Sequence, residues 1–274
     1  MRIFYVLMLL IFGMGVFPPC IYGGSTVTVE HMRKQIEGKA ADASPYKQEM
    51  KAGKDWEKYK KYEDDRIVYL HTPYFTCSGA LMSSHIVLTA NHCVWATDQQ
   101  KIDPRLIDVY IGGTNSGNKT RGVRIITEAT RKFDGASKDY AIIVLEKDIS
   151  LHRYFTVTSS VRACDGEIDV YVLGFPGKRG KGNPWKSEGR MGGESTERCD
   201  MYATYSECNS PDCSLTTARV EPGSSGSPVF SKGNPDRIIG LVSQTNKKRK
   251  HSAIISGPLE AFYNAHRNEP IDRF

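Results

Sequence analysis

The sequence predicts an all-β fold of antiparallel strands, as a sandwich or a barrel. Three observations carry this. From Arg66 onward, short apolar runs rich in Val, Ile, Tyr and Thr alternate with turn residues. Only one segment, near the C-terminus, reads as helix. The strand-helix-strand spacing of a parallel sheet is absent, which argues against an α/β-hydrolase carrying out ester chemistry.

The candidate strands follow in order. "RIVYL" begins at Arg66, then come "SGALMS", "HIVLTA", "LIDVYIG", "GVRIITEA" and "YAIIVLE", ending at Glu146. A second series holds "IDVYVLGF", "CDMYATYS", "LTTARV", "SPVFS", "RIIGLVSQ" and "SAIISG", ending at Gly257. "GPLEAFYNAHRN" supplies the helix after the last strand. Residues 177–193, "GKRGKGNPWKSEGRMGG", read as a glycine-rich loop.

The N-terminal part has a different texture. Arg2, an apolar run from Ile3 to Val16 and small residues at Gly23, Gly24 and Ser25 form a secretory signal pattern, expected over 1–24. The run is too short to span a bilayer comfortably. Residues 25–65 are dense in both charge signs and read as a pro-segment or an N-terminal extension. The 274-residue chain carries a formal charge of +6, too weak and too scattered to argue for nucleic acid. Loss of the leader removes Cys20 and leaves six cysteines, an even count that suits disulfides in an exported chain. No CxxC or HxxxH accompanies them, so a zinc site ranks well below.

Three short stretches hold candidate chemistry. In "CSGALMSSHIVLTANHC", two strands and a turn separate Cys77 from Cys93. A bridge here contributes about 3 kcal/mol in the chain-entropy view and fixes the backbone beside His92. In "SKDYAIIVLE", Asp139 precedes a strongly apolar strand, where an aspartate most often serves backbone hydrogen bonds. In "EPGSSGSPVF", Gly223 and Gly226 permit a tight exposed turn. Such a turn projects Ser225 Oγ and aims the N–H groups of Gly223 and Ser225 into one pocket. Each stretch alone has a bland reading: a structural histidine, a strand-start aspartate, a Ser/Gly turn.

Together the odds change. His92, Asp139 and Ser225 occur in the chain order of the chymotrypsin class. Residues 66 to 265 resemble the trypsin/chymotrypsin-like superfamily of serine peptidases. "LTANHC" is similar to its histidine motif, with Asn91 where a small residue is usual. "DYAIIVL" resembles its aspartate motif. "LTTARVEPGSSGSPV" resembles the serine motif of the glutamyl endopeptidase and HtrA-like branch. The resemblance implies two antiparallel β-barrels with a C-terminal helix: a first barrel at about 66–155, a second at about 156–257 and a closing helix at about 258–268. It implies a secreted endopeptidase without a cofactor, with His92, Asp139 and Ser225 as catalytic triad and Gly223 and Ser225 as oxyanion hole. Ser243 matches the serine that supports the aspartate, and Ser243 and Gln244 in "GLVSQT" are expected along the substrate cleft. The implied partners are protein or peptide substrates and a proteinaceous inhibitor. Nucleic acid and stable membrane association are not expected, and the protein is expected to be a monomer. The competing class is a peptidase-like binding protein with an idle cleft.

Two departures qualify the resemblance. Trypsin-like zymogens mature when a new N-terminus pairs with an aspartate just before the nucleophile, and that position is Ser224 here. Only ten residues separate Ile67 from Cys77, so "RIVYL" reads as the first strand rather than an activation cut. Glutamyl endopeptidases place a histidine where this chain has Val242. Arg219 falls near the expected floor of the primary pocket, although solvent exposure is its commoner fate. "NKKRKH", 246–251, reads as a basic hairpin tip. Cys164, Cys199, Cys208 and Cys213 leave three pairings open.

Overall fold

β-Branched runs of four to eight residues cannot bury both faces alone, so they pair edge to edge and close. The computed structural model describes residues 60–61, 63–134, 138–158, 168–177, 182–191, 213–216, 218, 220–245, 252–255 and 258–271. All of them lie in one compact unit, 55–274. The expected leader, most of the 25–65 segment, Cys164, Cys199, Cys208, Arg219 and residues 246–251 lie outside the described residues.

Six strands form a closed barrel: β2 (Ile67–His71), β3 (Thr76–Leu81), β4 (Ile86–Thr89), β5 (Asp108–Ile111), β6 (Lys119–Ile126) and β7 (Ala141–Leu145). Their order around the barrel is β2-β3-β4-β7-β6-β5. The second sheet uses β1 (Lys60–Lys61), β8 (Thr156–Val157), β9 (Ile168–Gly174), β10 (Trp185–Met191), β11 (Cys213–Thr216), β12 (Pro228–Ser231), β13 (Asn234–Thr245) and β14 (Ser252–Ile255). Its path runs β10-β11-β14-β13-β12-β9, and β9 pairs back onto β10, so this ring also closes. The helix α1 (Leu259–His266) follows and buries Leu259 and Phe262. The architecture is therefore two antiparallel β-barrels with a C-terminal helix.

Two elements differ from the sequence reading. The loop expected at 177–193 contains β10, whose seven residues all pair with β9. Lys186, Glu188 and Gly189 disfavour a strand intrinsically, and the ladder to the apolar β9 overrides that preference. β1 pairs with Lys186 and Trp185, so the segment before Arg66 contributes a strand to the second sheet.

One apolar cluster joins the two barrels. Ile67, Leu88 and Ile142 from the first pack in it with Leu173, Phe230 and Leu241 from the second. At its margin Arg66 is buried beneath Phe155, its guanidinium 4.0 Å from the ring centroid. Asp64 and Asp236 bind it at 2.8 and 2.5 Å. Burial works against that charge, but the hydrogen bonds the guanidinium donates to the two carboxylates outweigh it and raise the Arg66 pKa.

Candidate active site

The register of β4 against β7 brings two distant residues together. Thr89 pairs with Ala141, so the chain leaving β4 meets the chain entering β7. His92 lies in a 3₁₀ turn, Asn91–Val94, just beyond β4, and Asp139 lies two residues before β7. The Cys77–Cys93 disulfide, with Cα atoms 6.1 Å apart, ties this turn to β3.

Asp139 is 4% exposed. It accepts the backbone N–H of His92 at 2.8 Å, and His92 Nδ1 lies 3.0 and 2.9 Å from its two oxygens. An ionised carboxylate only accepts, so Nδ1 carries a proton directed at Asp139. The Ser243 hydroxyl, from β13, donates to Asp139 Oδ2. Burial pushes against the carboxylate charge. The imidazole and the hydrogen bonds from His92 and Ser243 overcome that push and hold Asp139 below the usual carboxylate range.

The serine loop is built differently. The N–H groups of Ser224, Gly226 and Ser227 are bonded to Glu221, Val242 and Ser224. Those of Gly223 and Ser225 have no partner among the described residues, and they are the two expected in the oxyanion hole. Gly226 has φ +77°, and a Cβ there would lie 2.2 Å from Thr89 Oγ1, 2.3 Å from Ser78 O and 2.9 Å from Ala90 N. Only glycine permits this approach, which seats the loop against the residues just before His92. Ser225 is half-buried, and its Oγ makes no hydrogen bond to His92 or to any other described residue. Such bonds are often long or misaligned until substrate binds.

Ser78 joins the two halves and was not singled out from the sequence. Its N–H donates to Ser225 O at 2.8 Å, and its hydroxyl donates to Gly223 O at 2.8 Å. The same hydroxyl accepts from Phe175 N, and its carbonyl accepts from Thr89 Oγ1. Its position beside Cys77 was the only signal available. Asn91, visible in the sequence only as a departure, is fully buried and makes four hydrogen bonds. Cys77, Cys93 and His92 place three ligand-type atoms within 4.8 Å, but the two sulfurs are joined and supply no thiolate.

The cleft residues divide. Ser243 reaches Asp139. Gln244 continues β13, where only its backbone is described, and Arg219 lies outside the described residues. Val242 is buried and exchanges backbone hydrogen bonds with the serine loop.

Two barrels, with a histidine-aspartate pair beside a serine loop, define a class, the serine peptidases of trypsin-like fold. The sequence model described as Trypsin matches residues 58–258, and the chain belongs to that family. Sequence comparison with curated proteins returned no match. Among solved structures, the chain is similar to a Glu endopeptidase in complex with MPD, at 17% identity and a TM-score of 0.61. That match covers 77% of this chain and 97% of the other. It is similar to the VesB protease of Vibrio cholerae, at 19% identity and TM-score 0.63, covering 77% of this chain and 67% of the other. It is also similar to an inactivated protease paralogue of the scabies mite, S-D1, at 14% identity and TM-score 0.61. Coverage there is 79% and 98%. At such identities the likeness concerns the fold alone. No helix among the described residues is long and apolar enough to cross a membrane.

Proposed function

We propose that this chain is a secreted serine endopeptidase working through an acyl-enzyme. Ser225 Oγ attacks the scissile carbonyl carbon, and its proton passes to His92 Nε2. The carbonyl oxygen becomes an oxyanion between the N–H groups of Gly223 and Ser225, each worth about 3 kcal/mol to the transition state. Collapse breaks the C–N bond, and His92 returns the proton to the departing amine. Water then repeats the sequence on the acyl-enzyme and frees Ser225. Asp139 holds the Nδ1–H tautomer and steadies the imidazolium, and Ser243 holds Asp139.

The observation that carries this reading is that the His92 ring is bound to Asp139 through Nδ1, while Nε2 has no hydrogen-bond partner among the described residues. Both oxygens of a buried carboxylate are committed to the opposite ring nitrogen and the main-chain N–H of the same residue. The N–H groups of Gly223 and Ser225, unpartnered among the described residues, support it. Export is supported by the leader pattern and by the disulfide, which suits an oxidising compartment.

The inactivated mite paralogue shares the fold, so fold alone does not decide activity. A fluorophosphonate probe does. Wild-type protein is expected to be labelled and Ser225→Ala to lose the label with an unchanged melting temperature. A folded, processed wild-type protein that takes no label and cleaves no peptide would establish the idle-cleft class instead.

A further inference from the structure

The segment from Thr127 to Asp134 is fastened to the residue preceding His92. Asn91 donates through Nδ2 to the carbonyls of Arg131 and Lys132 at 3.0 and 3.1 Å. Its Oδ1 accepts from Trp95 Nε1 and Thr127 Oγ1, both at 2.8 Å. Every hydrogen-bonding position of this buried amide is used, so the main chain at 131–132 has one place relative to the imidazole. The next residue, Phe133, stacks on the His92 ring with centroids 6.1 Å apart and planes at 20°. It remains 43% exposed, a large apolar face held in water beside the reaction centre.

Lys132 lies between two rings. Its ammonium is 4.7 Å from the centroid of Phe75 and 5.8 Å from that of Phe133. Ring faces attract a cation and fix its place without neutralising it. Of the acidic residues nearby, Asp134 faces both Arg131 at 3.8 Å and Lys138 at 3.9 Å, and Asp98 meets Lys132 through its main-chain carbonyl, which accepts the Lys132 N–H at 3.0 Å. Among the described residues no carboxylate pairs with Lys132. A half-buried lysine with no counter-ion among the described residues, two ring contacts from the catalytic imidazole, is a site for an anionic side chain.

We propose that Lys132 is a specificity residue that binds an Asp or Glu side chain of the substrate within about three residues of the scissile bond, a reach set by the extended-chain spacing of about 3.3–3.6 Å per residue. Asn91 is the positioning residue that keeps Lys132 and Phe133 there. The proposal rests on the serine-peptidase reading and deepens it by naming a substrate class.

The test is cleavage profiling of a random peptide pool, followed by two peptides differing only as Glu or Gln at the most enriched position. Wild-type enzyme should favour the Glu peptide about tenfold in kcat/KM, chiefly through KM, and less so as salt rises. Lys132→Gln should bring the ratio near one, and Lys132→Glu should turn it toward a Lys peptide. Melting curves check that both variants fold. Wild-type enzyme that takes the fluorophosphonate label and cuts peptides without acidic enrichment would overturn the proposal. An enrichment left unchanged in Lys132→Glu would overturn it too. Folded wild-type protein that takes no label would overturn the peptidase reading as well, an outcome separate from both.

Discussion

The histidine turn and the serine loop meet at Ser78, yet they satisfy their polar groups in opposite ways. Around His92 nearly everything is paired. Asp139 receives bonds from the His92 main chain, its ring and Ser243, and the Asn91 amide is fully used. In the serine loop, bonding fixes the main chain on either side of Ser225 and stops there. Among the described residues, the Ser225 hydroxyl and the N–H groups of Gly223 and Ser225 have no partner. In the proposed mechanism this contrast has a use: the general base is held rigidly before substrate arrives, while the loop keeps its hydrogen-bonding capacity for charge that develops only in the transition state.

Four substitutions and one change of pH break or sharpen this contrast. The largest effect is expected from Asp139→Asn, which keeps the shape of the site but lets Nδ1 accept a hydrogen bond. kcat should fall by about 10⁴-fold in steady-state assays, with little change in KM. Gly226→Ala comes next. It places a Cβ against Thr89, Ser78 and Ala90 at positive φ, and should cost about 3 kcal/mol in urea unfolding. Gly117→Ala is its control, since Gly117 also has positive φ but nothing within 4 Å, and should cost only about 1–2 kcal/mol. Asn91→Ala strips partners from Trp95 Nε1, Thr127 and two carbonyls. A loss of about 2–3 kcal/mol is expected by the same measurement.

The smallest effect concerns acid. The folded state holds the Asp139 carboxyl below its ordinary value near 3.9, so this group contributes stability that is whole above that value. The contribution is lost as pH falls through the lower, folded value. Unfolding free energy measured from pH 5 down to pH 2 should therefore drop more steeply in wild type than in Asp139→Asn. Equal slopes would show that Asp139 is not the group responsible.

How much was legible follows from where each signal resides. The strand "YAIIVLE" could be read because its five central residues are all buried and all apolar. Gly223 and Gly226 could be read because a tight turn needs them locally. β10 could not, since its Lys, Glu and Gly residues gain strand character from pairing with neighbouring strands, β9 above all. Ser78 escaped because its partner Gly223 is 145 residues away, and a serine beside a cysteine has no local mark. Asn91 stood out as an oddity, but its purpose depends on carbonyls 40 and 41 residues further on.

The clasp around Arg66 bears on susceptibility to proteolysis. A processing enzyme needs an accessible side chain to grip and a main chain it can draw into its own cleft. The Arg66–Ile67 bond offers neither. The guanidinium is sealed between two carboxylates and a phenyl ring, and the strand beginning at Ile67 is paired along both edges. In the folded chain the Arg66–Ile67 bond is therefore shielded, and cutting it would require this clasp and the strand pairing to open first.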